Sequence, residues 1–131
     1  MAQHAIYATI SPIFEATFVR DSYGCRVGGG AHRASDALQR AMRAAPDGAY
    51  LLQMDVRRFY YRIDHAILRG LIERKIKDRR LVDLMMVFAR GGHDSVGLPI
   101  GNLLSQLYAL IYLNALDHHI KRDINTKGDS F

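Results

Sequence analysis

An acidic residue near the end of an apolar run is the first feature of this chain that could do chemistry. Tyr50-Leu51-Leu52-Gln53-Met54-Asp55-Val56 reads as a short buried strand. A carboxylate such as Asp55 at a strand end can face a cleft and hold a divalent cation. Taken alone, Asp55 is better read as a turn cap, and Phe59 and Tyr60, which follow closely, are better read as core aromatics. A second feature is Gly97-Leu98-Pro99-Ile100-Gly101-Asn102. Such a glycine-rich turn lets the backbone approach another molecule closely, although a buried helix entered through a Gly-Pro turn explains it as well. A third is the loop Asp21-Ser22-Tyr23-Gly24-Cys25-Arg26-Val27-Gly28-Gly29-Gly30. A fourth is the basic run Arg69, Arg74, Lys75, Lys77, Arg79 and Arg80, usually a solvated face. Within it, Arg74, Lys75 and Lys77 are candidates for contact with a nucleic-acid backbone.

The elements that position these residues follow from pattern and punctuation. Residues 1–20 read as extended or irregular, because Pro12 argues against a helix through that point. After the glycine-rich loop a helix is expected over about 31–45, with Ala34, Leu38, Ala41 and Ala45 on one face. Pro46-Asp47-Gly48 signals a turn, and the strand 50–56 comes next. Asp64 can cap a helix running to about Lys77, burying Ile67, Leu68, Leu71, Ile72 and Ile76. A further helix over about 80–90 would bury Leu81, Leu84, Met85 and Phe88 and stop at Gly91-Gly92. Asn102 can cap a last helix reaching about Arg122. That helix is apolar nearly all round, so it should be central. The tail 123–131 is polar. The expected class is α+β, with too few strands for a self-contained sheet.

Composition sets the frame for these candidates. The chain has 131 residues, 49% of them hydrophobic, which suits one domain with a buried core. Its 18 Lys and Arg against 13 Asp and Glu leave a net charge of +5. That charge suits a polyanion partner and equally suits simple solubility. Cys25 is the sole cysteine, so no internal disulfide can form. The six histidines show no zinc spacing, and no Ser/His/Asp set stands out. No signal peptide or membrane span is evident, so a cytoplasmic, non-membrane protein is expected.

In order and spacing, the three motifs resemble those of reverse transcriptases. The nearest types are those of diversity-generating retroelements and of group II introns. The resemblance covers about residues 12–122. It implies a fingers–palm fragment of a right-hand polymerase, mostly helical with a short antiparallel sheet: a fingers-like segment over 1–49 and a partial palm over 50–131. Asp55-x-x-x-Phe59-Tyr60 is similar to the first palm motif of that family. The resemblance then makes Asp55 a catalytic metal ligand for Mg²⁺ or Mn²⁺, joined by the Val56 carbonyl. It places the backbone N–H groups of Arg58 and Phe59 toward a nucleotide triphosphate, and makes Tyr60 a steric gate against a 2′-hydroxyl. Ser-Tyr-Gly-Cys-Arg is similar to a fingers motif in which Arg26 would clamp the triphosphate, with Arg20 assisting. Guanidinium forks suit phosphate oxygens. Relatives carry Lys or Arg between the glycines of that loop, so Val27 leaves one such contact in doubt. His32 reads as structural.

Gly97–Gly101 is similar to the next palm motif, usually Leu-Pro-Gln-Gly. Ile100 takes the glutamine's place beside the nucleotide and cannot donate a hydrogen bond, and Gly101 follows it. That replacement resembles the retroelement enzymes that copy with deliberate infidelity, as does Gln106 where group II intron enzymes have proline. The partners implied are an RNA template, a DNA primer, deoxynucleoside triphosphates and an accessory protein. The family's aromatic-x-Asp-Asp hairpin, which completes the metal cage, has no counterpart through Asp129-Ser130-Phe131; Asp117, Asp123 and Asp129 do not form the pair. A chain with these parts alone is expected to be inactive. The alternatives are a polymerase of the group II intron or retron type, a non-catalytic nucleic-acid-binding module, and a structural protein on the same fold.

Overall fold

The computed structural model describes residues 2–92 and 95–124. These form the helices α1 (Ala2–Glu15), α2 (Ala31–Ala44), α3 (His65–Glu73), α4 (Arg79–Arg90) and α5 (Leu103–His119). A 3-10 turn over Phe59–Arg62 leads toward α3, and a π-turn over Ile120–Ile124 continues α5. The helix boundaries follow local chemistry. Asp64 accepts hydrogen bonds from the Ala66 and Ile67 amides, Asp78 from those of Arg80 and Leu81, and Asn102 from that of Leu104. Each satisfies amides that the first helical turn leaves orphaned. Gly91 ends α4 in the left-handed region, φ 50°, with its amide donating to the Val87 carbonyl. A Cβ there would also meet Pro99 Cγ at 2.8 Å, so glycine is required for space as well as for φ.

Helix α5 is the axis of the core, as its nearly all-round apolar surface predicts. Leu104, Leu107 and Tyr108 are fully buried, and α1, α3 and α4 pack around them. The Tyr108 hydroxyl donates to the Met85 carbonyl at 2.9 Å, tying α5 to α4. Burial pushes its phenol pKa well above the ordinary value. Helix α3 buries Leu68 and Ile72; α4 buries Val82, Met85, Met86 and Ala89. The faces are rotated from those expected, since Ile67 is 55% and Leu84 45% exposed.

Two expectations fail. The first concerns residues 1–20. A helix occupies Ala2–Glu15 with Pro12 inside it. Proline removes one backbone hydrogen bond and costs about 3 kcal/mol in a helix interior. Burying Ile6, Ile10 and Phe14 against the core contributes roughly 1.5–3 kcal/mol each, which outweighs it.

The second is the fold class. The short antiparallel sheet is not formed, so the described residues are helical rather than α+β. Residues 50–56 are irregular and exposed, and the one pairing is an isolated antiparallel bridge between Asp64 and Val96. A strand needs a neighbour for its N–H and C=O groups. Among the described residues no other segment pairs with 50–56. Helix α2 shares that isolation: none of its residues is buried.

Candidate nucleotide and nucleic-acid site

Two of the three sequence motifs are joined by backbone hydrogen bonds. The Leu98 amide donates to the Tyr60 carbonyl at 2.8 Å, and the Gly97 amide to that of Ile63 at 2.8 Å. The His65 amide donates to Ser95 at 3.0 Å. His65 is buried, and its Nε2 lies 2.6 Å from the Gly97 carbonyl, which can only accept. Nε2 is therefore the donor in this bond, and Nδ1 has no hydrogen-bond partner. Residues 60–65 and 95–98 thus form a clasp, and Leu98 is buried within it. The sequence reading missed His65, whose role depends on a partner 32 positions away.

On this clasp Tyr60 is part-buried, its ring edge-on to Phe59 at 6.0 Å, and Phe59 in turn is edge-on to Tyr112 at 6.2 Å. Burial, with a smaller contribution from Cys25, raises the Tyr60 phenol above its ordinary pKa. Across the clasp the turn presents Ile100, 69% exposed, and Gly101 at φ 83° with open space at its Cβ position. The structure therefore brings Phe59, Tyr60 and the 97–101 turn into one neighbourhood.

Asp55 lies before this clasp on the irregular segment and is exposed. The Val56 carbonyl accepts from the Phe59 amide at 3.1 Å, closing a turn in which Arg58 takes a left-handed φ of 53°. The Phe59 amide is accordingly engaged within the turn. Among the described residues no group of three His, Cys, Asp or Glu side chains could hold a metal ion. Asp55 by itself does not make a two-metal centre, so the donor set on these residues does not fit a pair of Mg²⁺ or Mn²⁺ ions.

Arg26 is bound into the glycine-rich loop. Its Nε donates to Glu15 at 2.7 Å, and its Nη1 to the Val19 and Ser22 carbonyls at 3.0 and 2.9 Å. Its guanidinium also lies 5.4 Å above the Phe18 ring. Arg26 therefore staples the loop to α1. Arg20 is exposed beside it. Farther off, Lys77 Nζ caps the Glu73 carbonyl at 2.8 Å, and Arg69 pairs with Glu73 and Asp83 at 2.8 and 2.7 Å. Arg74 and Lys75 are exposed and border a cleft of about 240 Å³ with Phe14, Asn114 and His118. No helix among the described residues is long and apolar enough to cross a membrane.

No protein-family model matches the chain. It is 30% identical over 128 residues to the group II intron-encoded protein LtrA of Lactococcus lactis subsp. cremoris, an alignment covering 92% of this chain and 21% of that protein. It is 26% identical over 130 residues to protein YkfC of Escherichia coli (strain K12), covering 92% and 34%. It is 27% identical over 139 residues to an uncharacterized 91 kDa protein in the cob intron of Schizosaccharomyces pombe, covering 98% and 17%. The chain spans only a fifth of the length of LtrA. Over nearly all of its own length the chain is thus similar to a group II intron-encoded protein and to a protein encoded in the cob intron, in keeping with the reverse-transcriptase resemblance of its motifs.

Proposed function

We propose that this chain supplies the fingers and part of the palm of an RNA-directed DNA polymerase. The observation that supports this most is the clasp, in which the Tyr60 and Ile63 carbonyls take the amides of Leu98 and Gly97. Those bonds hold the Phe59–Tyr60 pair next to the glycine turn, the juxtaposition that a site for a sugar and its base pair requires. In this reading Tyr60 restricts the space beside the sugar and selects deoxyribose. Ile100 packs on the base pair without a hydrogen bond, which loosens template reading and favours an error-prone, retroelement-like enzyme. Asp55 is one carboxylate of a metal site whose other donors lie outside the described residues. RNA template, DNA primer and deoxynucleoside triphosphates are the substrates, and an accessory protein belongs to the reading by family analogy alone.

The test is primer extension on an RNA template by a longer protein that contains this chain and the coding sequence downstream of it. Incorporation by the parent should vanish in Asp55→Asn. Incorporation that survives the substitution rejects the role of Asp55. The second reading is a nucleic-acid-binding module without catalysis, which the net charge of +5 also suits. That module would bind RNA while the longer protein incorporated nothing at any Mg²⁺ or Mn²⁺ concentration.

A further inference from the structure

One peptide unit in the clasp is held on both of its edges. On one edge the Leu98 amide donates to the Tyr60 carbonyl at 2.8 Å. On the other the Gly97 carbonyl accepts from His65 Nε2 at 2.6 Å. A peptide is planar, so two bonds on opposite edges fix its orientation. Gly97 needs such a hold. Its φ of 102° lies in a region that favours glycine, and it has no side chain to anchor by packing. Its own amide donates to the Ile63 carbonyl, which settles the preceding peptide. The direction in which the chain leaves Gly97 is then set by Tyr60 from one side and His65 from the other.

His65 is itself firmly placed. It is the first residue of α3, behind the Asp64 cap, and its amide is bonded to Ser95. It is only 5% exposed, so the bond to Gly97 is made away from water. Removing the donor leaves a buried carbonyl without a partner. Rotation of the peptide relieves that cost, and it carries the following residues along. Ile100 stands three residues on, with its side chain exposed. We infer that His65 is a positioning residue for the proposed nucleotide site. Through the Gly97–Leu98 peptide it sets where Ile100 and Gly101 stand relative to Tyr60, and with that how firmly a nucleotide is gripped between them. It does not touch the nucleotide. The kinetic consequence rests on the polymerase reading above; the structural one rests on the hydrogen bonds alone.

The test compares three variants. His65→Phe keeps a ring and removes the donor. In the longer protein that contains this chain, it should raise the KM for a deoxynucleoside triphosphate about tenfold and leave kcat within about threefold, the pattern of lost uniform binding. His65→Gln, whose Nε2 can donate from the same place, should bring KM back to within about twofold of the parent. Tyr108→Phe is the control. It removes another buried bond to a carbonyl, that of Met85, and should lower stability without moving KM. In the 131-residue chain, nitrogen–proton NMR spectra give a readout independent of activity: the Ile100 and Gly101 amide signals should move in His65→Phe and return in His65→Gln. If His65→Phe does not fold, His65→Asn, whose shorter amide cannot reach Gly97, takes its place. Three outcomes overturn the inference: equal KM rises in His65→Phe and Tyr108→Phe, no recovery in His65→Gln, or unmoved Ile100 and Gly101 signals. A parent that incorporates nothing overturns the polymerase reading and the kinetic consequence with it, and the amide signals then decide the structural one.

Discussion

The bundle of α3, α4 and α5 and the arm formed by α2 and residues 45–58 begin from similar raw material and end in opposite states. Both carry amphipathic helices and apolar runs. In the bundle, Leu68, Met85 and Leu107 are buried and every helix N-terminus has a side-chain cap. In the arm, Leu38, Met42, Leu51 and Leu52 are exposed, and α2 has no capping side chain. An apolar pattern commits a face to burial, but burial requires a second surface. The bundle finds that surface in α5; the arm finds none among the described residues.

The sharpest way to break this contrast is a matched pair of leucines. Leu68→Ala should lose roughly 2–5 kcal/mol, the range for emptying a packed site, because Leu68 is fully buried. Leu52→Ala, at a side chain 77% exposed, should change stability by less than about 0.5 kcal/mol. Urea unfolding followed by far-UV circular dichroism measures both, and equal losses would dissolve the distinction. Next in size is Gly91→Ala, expected to cost about 1–3 kcal/mol through its left-handed φ and its contact with Pro99. Adding Pro99→Ala should recover part of that cost, leaving the φ component.

Smaller again is Asp78→Ala, which removes the α4 cap and should cost about 1 kcal/mol. The smallest effect is a pH dependence. The hydrogen bond from Lys121 holds the Asp21 carboxyl below its ordinary value of 3.8, with burial opposing it. A lowered folded-state pKa means the stabilisation is present above 3.8 and fades as pH drops through the lower value. Lys121→Ala should flatten the acid limb of the stability profile and leave stability near neutrality almost unchanged, since the pair is largely exposed.

What could be read from the sequence follows the same division. Asp64, Asn102 and Gly91 declare helix ends through bonds reaching only a few residues, and each holds in the structure. The centrality of α5 was legible because its surface is apolar nearly all round. The sheet was not legible, because a strand exists only with its neighbour, and 50–56 has none here. Pro12 misled because a local penalty was weighed without the distant core that offsets it. Arg26 looked available to a phosphate, yet Glu15, eleven residues earlier, takes its Nε. The joining of Tyr60 to Leu98 likewise lay beyond any local pattern. The candidate residues were therefore legible in sequence, while the bonds that join residues 60–65 to 95–98 are visible only in three dimensions.

The two motif segments are locked together in this chain before any ligand or further polypeptide arrives. Amide hydrogen exchange on the chain alone, read by NMR residue by residue, tests it most directly. The Gly97 and Leu98 amides should be protected nearly as well as those of α5, while the amides of 51–56 exchange at rates close to an unfolded chain. Unprotected Gly97 and Leu98 amides beside a protected α5 would contradict it, as would protection of 51–56 equal to that of the clasp.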